Sequence, residues 1–113
     1  KEPIQRYVAG RVRDMTCHVA APDDVLLAEI APISRAAMNV AEVAGAADLE
    51  MLGAVATGIV AMADSWTSAG LWHADALRVH LASLNLVTEA GSDRGRQIVQ
   101  QLQALRRSIG VSE

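Results

Sequence analysis

The stretch LEMLGAVATGIVAMADSW, residues 49–66, determines the fold class of this chain. No charged residue occurs in it from Met51 to Ala63, so the segment should be largely buried. Its spacing is typical of a helix that packs lengthwise against other helices, and we expect the central helix of a small all-α bundle. The apolar positions recur in steps of three and four, at Leu49, Leu52, Ala56, Ile59, Ala63 and Trp66.

The composition of the whole chain favours helices over sheets. Of its 113 residues 51% are hydrophobic, yet only 3% are aromatic and phenylalanine is absent. Alanine, which has the highest intrinsic helix propensity, makes up much of the apolar content. Sandwiches and barrels would instead favour β-branched and aromatic residues. The length fits a single domain, residues 1–113, and we find no internal repeat or linker that would divide it.

The charge and the apolar pattern also exclude several functions. The net charge of −3 gives no electrostatic footprint for nucleic acid. The uncharged run is shorter than the roughly 20 residues that span a bilayer, so we predict no membrane segment. No signal peptide opens the sequence, which begins with Lys1, and residues upstream of Lys1 are left open. The single cysteine, Cys17, forms no internal disulfide and fits a reducing cytoplasm.

The N-terminal segment, residues 1–20, has a mixed pattern. Its apolar residues recur every three or four positions, which favours a peripheral helix. Gly10 and the residues that follow Met15 are weaker helix formers, so a flexible arm or a strand is the alternative. The apolar positions are Ile4, Val8, Val12, Met15 and Val19.

Prolines and glycines predict where the later helices begin and end. We expect a short helical turn after Pro22, and then a kink or a new helix that has Pro32 in its first turn. This helix should end at Gly45, and the central helix should end near Ser68, closed by Gly70. Two further helices are predicted, from about His73 to Thr88 and from about residue 92 to Gly110. Asp48 is the expected cap of the central helix, and Ser92 or Asp93 that of the last.

The three histidines give no metal site by spacing. His73 and His80 lie seven positions apart, which is roughly 10 Å along a helix and too far for one ion. His18 could join them only through the tertiary fold. Because His80 lies among apolar residues, we interpret it as a half-buried core histidine with one hydrogen bond. We therefore expect no metal and no cofactor.

His80 on a bundle helix also raises the alternative of histidine phosphotransfer. That chemistry needs an exposed imidazole, small residues one turn further on and a nearby lysine, whereas the chain's only lysine is Lys1. We find no nucleophile elbow, phosphate loop or glycine-rich fingerprint either. The sequence thus favours a protein that is not an enzyme.

Two sets of side chains are candidates for contact with a partner. Trp66 and Trp72 flank the turn before the predicted fourth helix, either as a hydrophobic plug or as an exposed anchor for a partner. A basic group near the C-terminus is either a solvated helix face or a docking surface for an acidic partner. Its members are Arg94, Arg96, Arg106 and Arg107.

One local segment resembles a known family. The residues AGLW at 69–72, ALRVH at 76–80 and Leu84 are similar to a segment of small helical proteins from alphaproteobacterial chemotaxis operons, of the chemotaxis protein E type. The resemblance implies a bacterial cytoplasmic protein in a signalling setting. It implies no activity and no catalytic residue.

The patterns together predict an all-α antiparallel bundle of four to five helices that acts as a non-enzymatic interaction or assembly protein. We expect a homodimer, and a further, unidentified protein partner is open. Apolar residues that lie off the main helix stripes are covered either by further helices of the same chain or by a second copy, and the second alternative favours a dimer. A small-ligand-binding bundle, with a cavity lined by methionines and the tryptophans, is a further alternative. The residues off the stripes are Val79 and Leu86 on one helix and Met51, Val55 and Met62 on another.

Overall fold

The computed structural model describes residues 2–111 and confirms the all-α fold class. The described residues contain six helices, one more than the upper end of the prediction, because the segment that follows Pro22 forms two helices. They are α1 (Glu2–Thr16), α2 (Asp23–Ala28), α3 (Ile30–Ala44), α4 (Glu50–Ala69), α5 (Ala74–Glu89) and α6 (Ser92–Ser108).

The N-terminal segment is a helix, so its alternatives as a flexible arm or a strand are wrong. One face of α1 belongs to the core, where Val8 and Val12 are buried and Met15 is inaccessible to solvent. The three- and four-residue spacing of these side chains outweighs the weak helix propensity of Gly10. Val19 lies beyond the end of α1 and packs against the core from the following turn.

Pro32 lies in the first turn of α3, as its position in the sequence predicts. Glu29 separates α2 from α3 and is the N-cap of α3. The Ile33 N–H donates to the Glu29 carbonyl over 3.0 Å. The first N–H groups of a helix have no partner within it, so the missing N–H of proline costs nothing there.

Four of the helices form a closed ring, and α6 packs on its outside. Around the ring α1 contacts α3, α3 contacts α4, α4 contacts α5, and α5 returns to α1. The sixth helix lies against α4 and α5. Helices α3 and α4 run antiparallel: the end of α3 and the start of α4 line one groove, and the start of α3 and the end of α4 line another. Helix α6 runs parallel to α4, since Gly95 near its start lies against Met51 and Arg106 near its end lies against Gly58.

The central position of α4 is confirmed. It packs against three other helices, α3, α5 and α6, and its seam residues Ala56 and Ile59 have no exposed surface. Close approach to α3 depends on Gly53, where a Cβ would lie 2.8 Å from the Cβ of Ala44. Small residues therefore set how tightly this pair of helices packs.

Glycines end the helices as predicted, but the predicted side-chain caps are wrong. Gly70 closes α4 with φ of 69°, and Gly110 follows α6 with φ of 86°. The caps of α4 and α6 are Leu49 and Gly91, and neither makes a side-chain capping bond. Asp48 lies one residue before the α4 cap in the left-handed region, with φ of 56°. Ser92 and Asp93 are already the first helical residues of α6.

Within residues 2–111, none of the helices is both long enough and apolar enough to span a bilayer.

Candidate functional site

A buried polar cluster lies where α4, α5 and α6 meet. Its centre is His80, which has no exposed surface and makes two hydrogen bonds. Its Nδ1 lies 2.8 Å from the carbonyl oxygen of Ala76, one turn earlier on α5. Its Nε2 lies 3.0 Å from Nη1 of Arg106 on α6, and Arg106 is itself buried. The expectation of a half-buried histidine with one hydrogen bond therefore understates both its burial and its bonding.

These two partners assign the protonation of the imidazole. The Ala76 carbonyl can only accept, so Nδ1 carries the hydrogen and donates it. A guanidinium can only donate, so Nε2 of His80 is the acceptor for Arg106. The ring is therefore neutral, with its remaining lone pair directed at a fixed cation.

The surroundings of His80 favour this neutral form. Burial lowers the pKa of His80 below its ordinary value of 6.5, because an imidazolium is poorly solvated in the interior. The hydrogen bond to Ala76 raises this pKa, and the positive charge of Arg106 lowers it further. The net direction is downward, so the neutral form is favoured.

Space for the guanidinium comes from a glycine in the middle of α4. A Cβ at position 58 would lie 2.8 Å from Cζ of Arg106 and 3.4 Å from Cδ2 of His80. Sequence reasoning missed Gly58, although a glycine inside a buried helical seam indicates close approach of another element. Any larger side chain at this position would occupy the space of the Arg106 guanidinium.

The four arginines of the predicted basic group do not form one surface. Arg94, Arg96 and Arg107 are exposed, whereas Arg106 is buried against His80, which corrects its placement on a solvated face. Arg96 and Arg106 lie at opposite ends of α6, about 15 Å apart along the axis at 1.5 Å per residue. Arg96 also lies 3.5 Å from Asp93, in an exposed pair one turn earlier.

The two tryptophans pack against each other at one end of the bundle. Trp66, on α4, and Trp72, in the link to α5, have ring centroids 6.1 Å apart at an angle of 63°. This edge-to-face arrangement is a favourable one for aromatic rings. Both side chains are half-buried, and Trp72 packs against the core. Each tryptophan side chain is partly packed and partly exposed to solvent, which is compatible with both the hydrophobic plug and the partner anchor.

The outer face of α5 carries an exposed apolar stripe. Val79 is 48% exposed and Leu86 is 50% exposed, and the exposed Ala82 lies between them on the same face. By contrast, Val55 and Met62 on α4 are buried by the chain's own helices. Met51 is partly buried and packs against the core. On α4 the chain's own helices thus cover these residues, which is one of the two alternatives from the sequence, and the α5 stripe remains for a second copy.

Arg78 connects α5 by hydrogen bonds to the segment before α2 and to the first residue of α2. Its Nη2 donates to the carbonyl oxygen of Ala21 over 2.7 Å and also to the carboxylate of Asp23. Its Nη1 donates to Asp75 over 2.8 Å. The pairing with Asp75, three positions earlier on α5, is visible in the sequence, but the contacts with residues more than 50 positions away are not.

The residues expected to line a ligand cavity lie in different surroundings. Met38 is half-exposed on α3, whereas Met62 is buried in the core. An apolar groove of about 430 Å³ instead runs between α1, the start of α4 and the end of α5, with Val12 and Leu52 in its wall. It is open to solvent and contains neither the methionines nor the tryptophans.

The polar cluster differs from the two kinds of histidine site that the sequence analysis weighed as alternatives, a phosphoacceptor and a metal site. A phosphoacceptor histidine must be reached by its phosphodonor, whereas both nitrogens of His80 are engaged inside the bundle. The described residues also contain no group of three or more histidine, cysteine, aspartate or glutamate side chains arranged to hold a metal ion. The imidazole of His80 can titrate, and its contacts with Arg106 and Gly58 connect α5 with α6 and α4.

Comparisons with protein-family models, with curated proteins and with solved structures give no match to this chain. The resemblance of residues 69–84 to the chemotaxis protein E type therefore stays a prediction. The all-α fold class stands on the helices themselves.

Proposed function

We propose that this chain is a non-enzymatic helical interaction protein that assembles as a homodimer through the outer face of α5. The observation that carries the proposal is the half-exposed pair Val79 and Leu86. Five large apolar side chains are prominently exposed among the described residues, and these two alone share a helix. The other three are Tyr7, Val25 and Met38.

The stripe on α5 suits a two-fold interface with a second copy. Val79 and Leu86 lie on either side of Ala82, three and four positions away. In an antiparallel pairing about Ala82, Val79 of each copy would face Leu86 of the other, so each contact would form twice. The small side chain of Ala82 would let the two helix axes approach closely at the centre.

Charges at the two ends of the stripe are compatible with this pairing. The stripe is bounded by Asp75 and Glu89, which would face each other across the two-fold axis. Asp75 is already paired with Arg78 over 2.8 Å, so its charge is offset within its own chain. Arg78 also pairs with Asp23, so this offset of the Asp75 charge is partial.

The small size of the stripe predicts a weak dimer. Full burial of a valine or leucine side chain contributes about 1.5–3 kcal/mol, and these two are already half-covered. Association itself costs roughly 4–15 kcal/mol of lost translational and rotational freedom. The four side chains of the two copies together contribute about 3–6 kcal/mol, which exceeds the cost by about 2 kcal/mol at most, so we expect a dissociation constant in the millimolar range or weaker.

The proposed setting is the cytoplasm of a bacterium, in a signalling context. It is supported by the resemblance of residues 69–84 to the chemotaxis protein E type and by the single, exposed Cys17. A further protein partner belongs to this proposal, with the half-buried Trp66 and Trp72 as its candidate contacts. Among the basic residues, the exposed Arg94, Arg96 and Arg107 remain candidate contacts.

Sedimentation equilibrium from about 0.1 mM to about 2 mM tests the homodimer, because a dimer this weak is populated only at such concentrations. We expect the mass to rise with concentration from the chain mass of 11.9 kDa towards twice that value. Leu86→Asp should abolish this rise, because the two-fold axis would place a charge opposite Val79. Met38→Asp is the matched control, since Met38 is 48% exposed on another helix. A concentration-independent mass of one chain, or equal effects of both variants, would contradict the proposal.

A further inference from the structure

The sixth helix is the least deeply docked of the long helices. It has 17 residues, but the only buried ones are Gly95, Leu102 and Arg106. It lies outside the ring formed by α1, α3, α4 and α5 and contacts only α4 and α5. An element with few buried apolar residues opens at a lower free-energy cost than the rest of a fold. We therefore expect α6 to open locally at a lower cost than the ring, although Ile98, Val99 and Leu105 also pack against the core.

The hydrogen bond between Arg106 on α6 and His80 on α5 depends on the lone pair of His80 Nε2. Nη1 of Arg106 donates to Nε2 of His80 over 3.0 Å, and the other ring nitrogen donates to Ala76. An added proton on His80 can therefore bind only at Nε2. There it would replace the acceptor with a donor and leave two cations facing each other at hydrogen-bond distance.

No carboxylate among the described residues is resolved as acting on His80. On α5 its neighbour is the carbonyl of Ala76, on α4 it is Gly58, and on α6 it is Arg106. Of the charged groups in the described part of the chain, only Arg106 is resolved as acting on His80, and it repels a protonated ring. Protonation of His80 therefore disfavours the docked position of Arg106.

We propose that α6 is a latch that protonation of His80 releases. With α6 docked, His80 is inaccessible to solvent, so the proton comes from water when α6 opens transiently. The protonated ring then keeps the Arg106 guanidinium out of the space beside Gly58. Release uncovers the surfaces of α4 and α5 beneath α6, and loss of the proton lets the helix dock again.

The pH dependence of α6 opening is set by the binding of one proton to His80 in the open state. In the open state the imidazole is solvated and has its ordinary pKa near 6.5, while the docked state disfavours the charge. The open state therefore binds more protons below about pH 6.5. For one linked proton the opening equilibrium rises by up to about tenfold per pH unit.

Hydrogen exchange of the full chain, followed by NMR between pH 7 and pH 5, tests the latch. We expect protection factors of the α6 amides to fall below about pH 6.5 by up to about tenfold per unit, while those of α3 and α4 stay constant.

His80→Gln is the variant that separates the latch from general acid effects. The glutamine side chain offers an acceptor to Arg106 but does not titrate, so the pH dependence of α6 protection should disappear. His73→Gln is the matched control, because His73 is exposed just before α5 and should leave the dependence unchanged. An equal pH dependence in His80→Gln and the unmodified chain would overturn the proposal.

A second measurement keeps the test decisive if His80→Gln does not fold. Long-range ¹⁵N spectra of the unmodified chain report the protonation of each imidazole nitrogen directly. We expect Nδ1 of His80 to carry the hydrogen at pH 7, and Nε2 to gain a proton over the same pH range in which α6 loses protection. Protonation of His80 while α6 stays protected would rule out the latch.

Discussion

The guanidinium of Arg106 on α6 occupies the space beside Gly58 on α4 that a side chain at position 58 would fill. The guanidinium lies where a side chain at position 58 would begin, and a Cβ there would be 2.8 Å from Cζ of Arg106. This fit brings Nη1 of Arg106 within 3.0 Å of His80 on α5. One glycine therefore lets three helices share a polar contact inside an otherwise apolar bundle.

We expect Gly58→Ala to destabilise the fold although it improves helix propensity. The gain from propensity is about 1 kcal/mol, but the methyl group would displace the guanidinium and leave buried polar groups without their hydrogen bond, at about 1–3 kcal/mol. Urea unfolding measures the difference. Gly45→Ala is the control, because nothing lies within 4 Å of its Cβ position and its φ is −61°. A Gly58→Ala variant more stable than the unmodified chain would contradict the packing described for Arg106.

Ile59→Ala should lower the free energy of unfolding by about 2–5 kcal/mol. Ile59 has no exposed surface, so the truncation opens a cavity in the central seam of α4. Val79→Ala removes a side chain of similar kind that is 48% exposed, and we expect less than about 1 kcal/mol for it. Equal losses in the two variants, measured by urea unfolding, would show that the central seam is misplaced.

The architecture was predictable because helix spacing and helix ends are recorded locally in the sequence. The three- and four-residue steps from Leu49 to Trp66 identify the central helix, and Gly70 and Gly110 mark two helix ends by their conformational freedom. The wrong caps have a local cause as well. Asp48 resembles a capping residue, but its left-handed backbone places it one residue before the start of α4.

The polar cluster was not predictable in the same way, because it depends on contacts between distant positions. Arg106 lies next to Arg107 at the end of a polar helix, and its sequence neighbours favour an exposed position. Its burial follows from His80, 26 positions earlier, and from the space at Gly58. A glycine within the predicted central helix and a histidine on a predicted core stripe indicate that another element approaches, but not which residue it contributes.

Phosphorylation of His80 by a small phosphodonor should not occur in the folded chain. Both imidazole nitrogens are engaged in hydrogen bonds and the residue has no exposed surface, so the donor has no path to the ring. Incubation with acetyl phosphate at pH 7.5, followed by mass spectrometry, measures this. The urea-unfolded chain is the control for intrinsic reactivity. Stoichiometric acid-labile labelling that disappears in His80→Gln would contradict the burial and restore the phosphotransfer alternative.

The stability of the fold should decrease with falling pH because of His80. Its folded-state pKa is lowered, so below about pH 6.5 the unfolded chain binds a proton that the folded chain resists. The free energy of unfolding is therefore highest above pH 6.5 and falls, by up to about 1.4 kcal/mol per pH unit for one proton, until the folded-state pKa is reached. His80→Gln should remove this slope in urea unfolding at pH 7, 6 and 5. Arg106→Met should keep it, because burial is the larger cause of the lowered pKa and the charge of Arg106 a lesser one. A slope that vanishes in Arg106→Met but persists in His80→Gln would assign the pH dependence to a group other than His80.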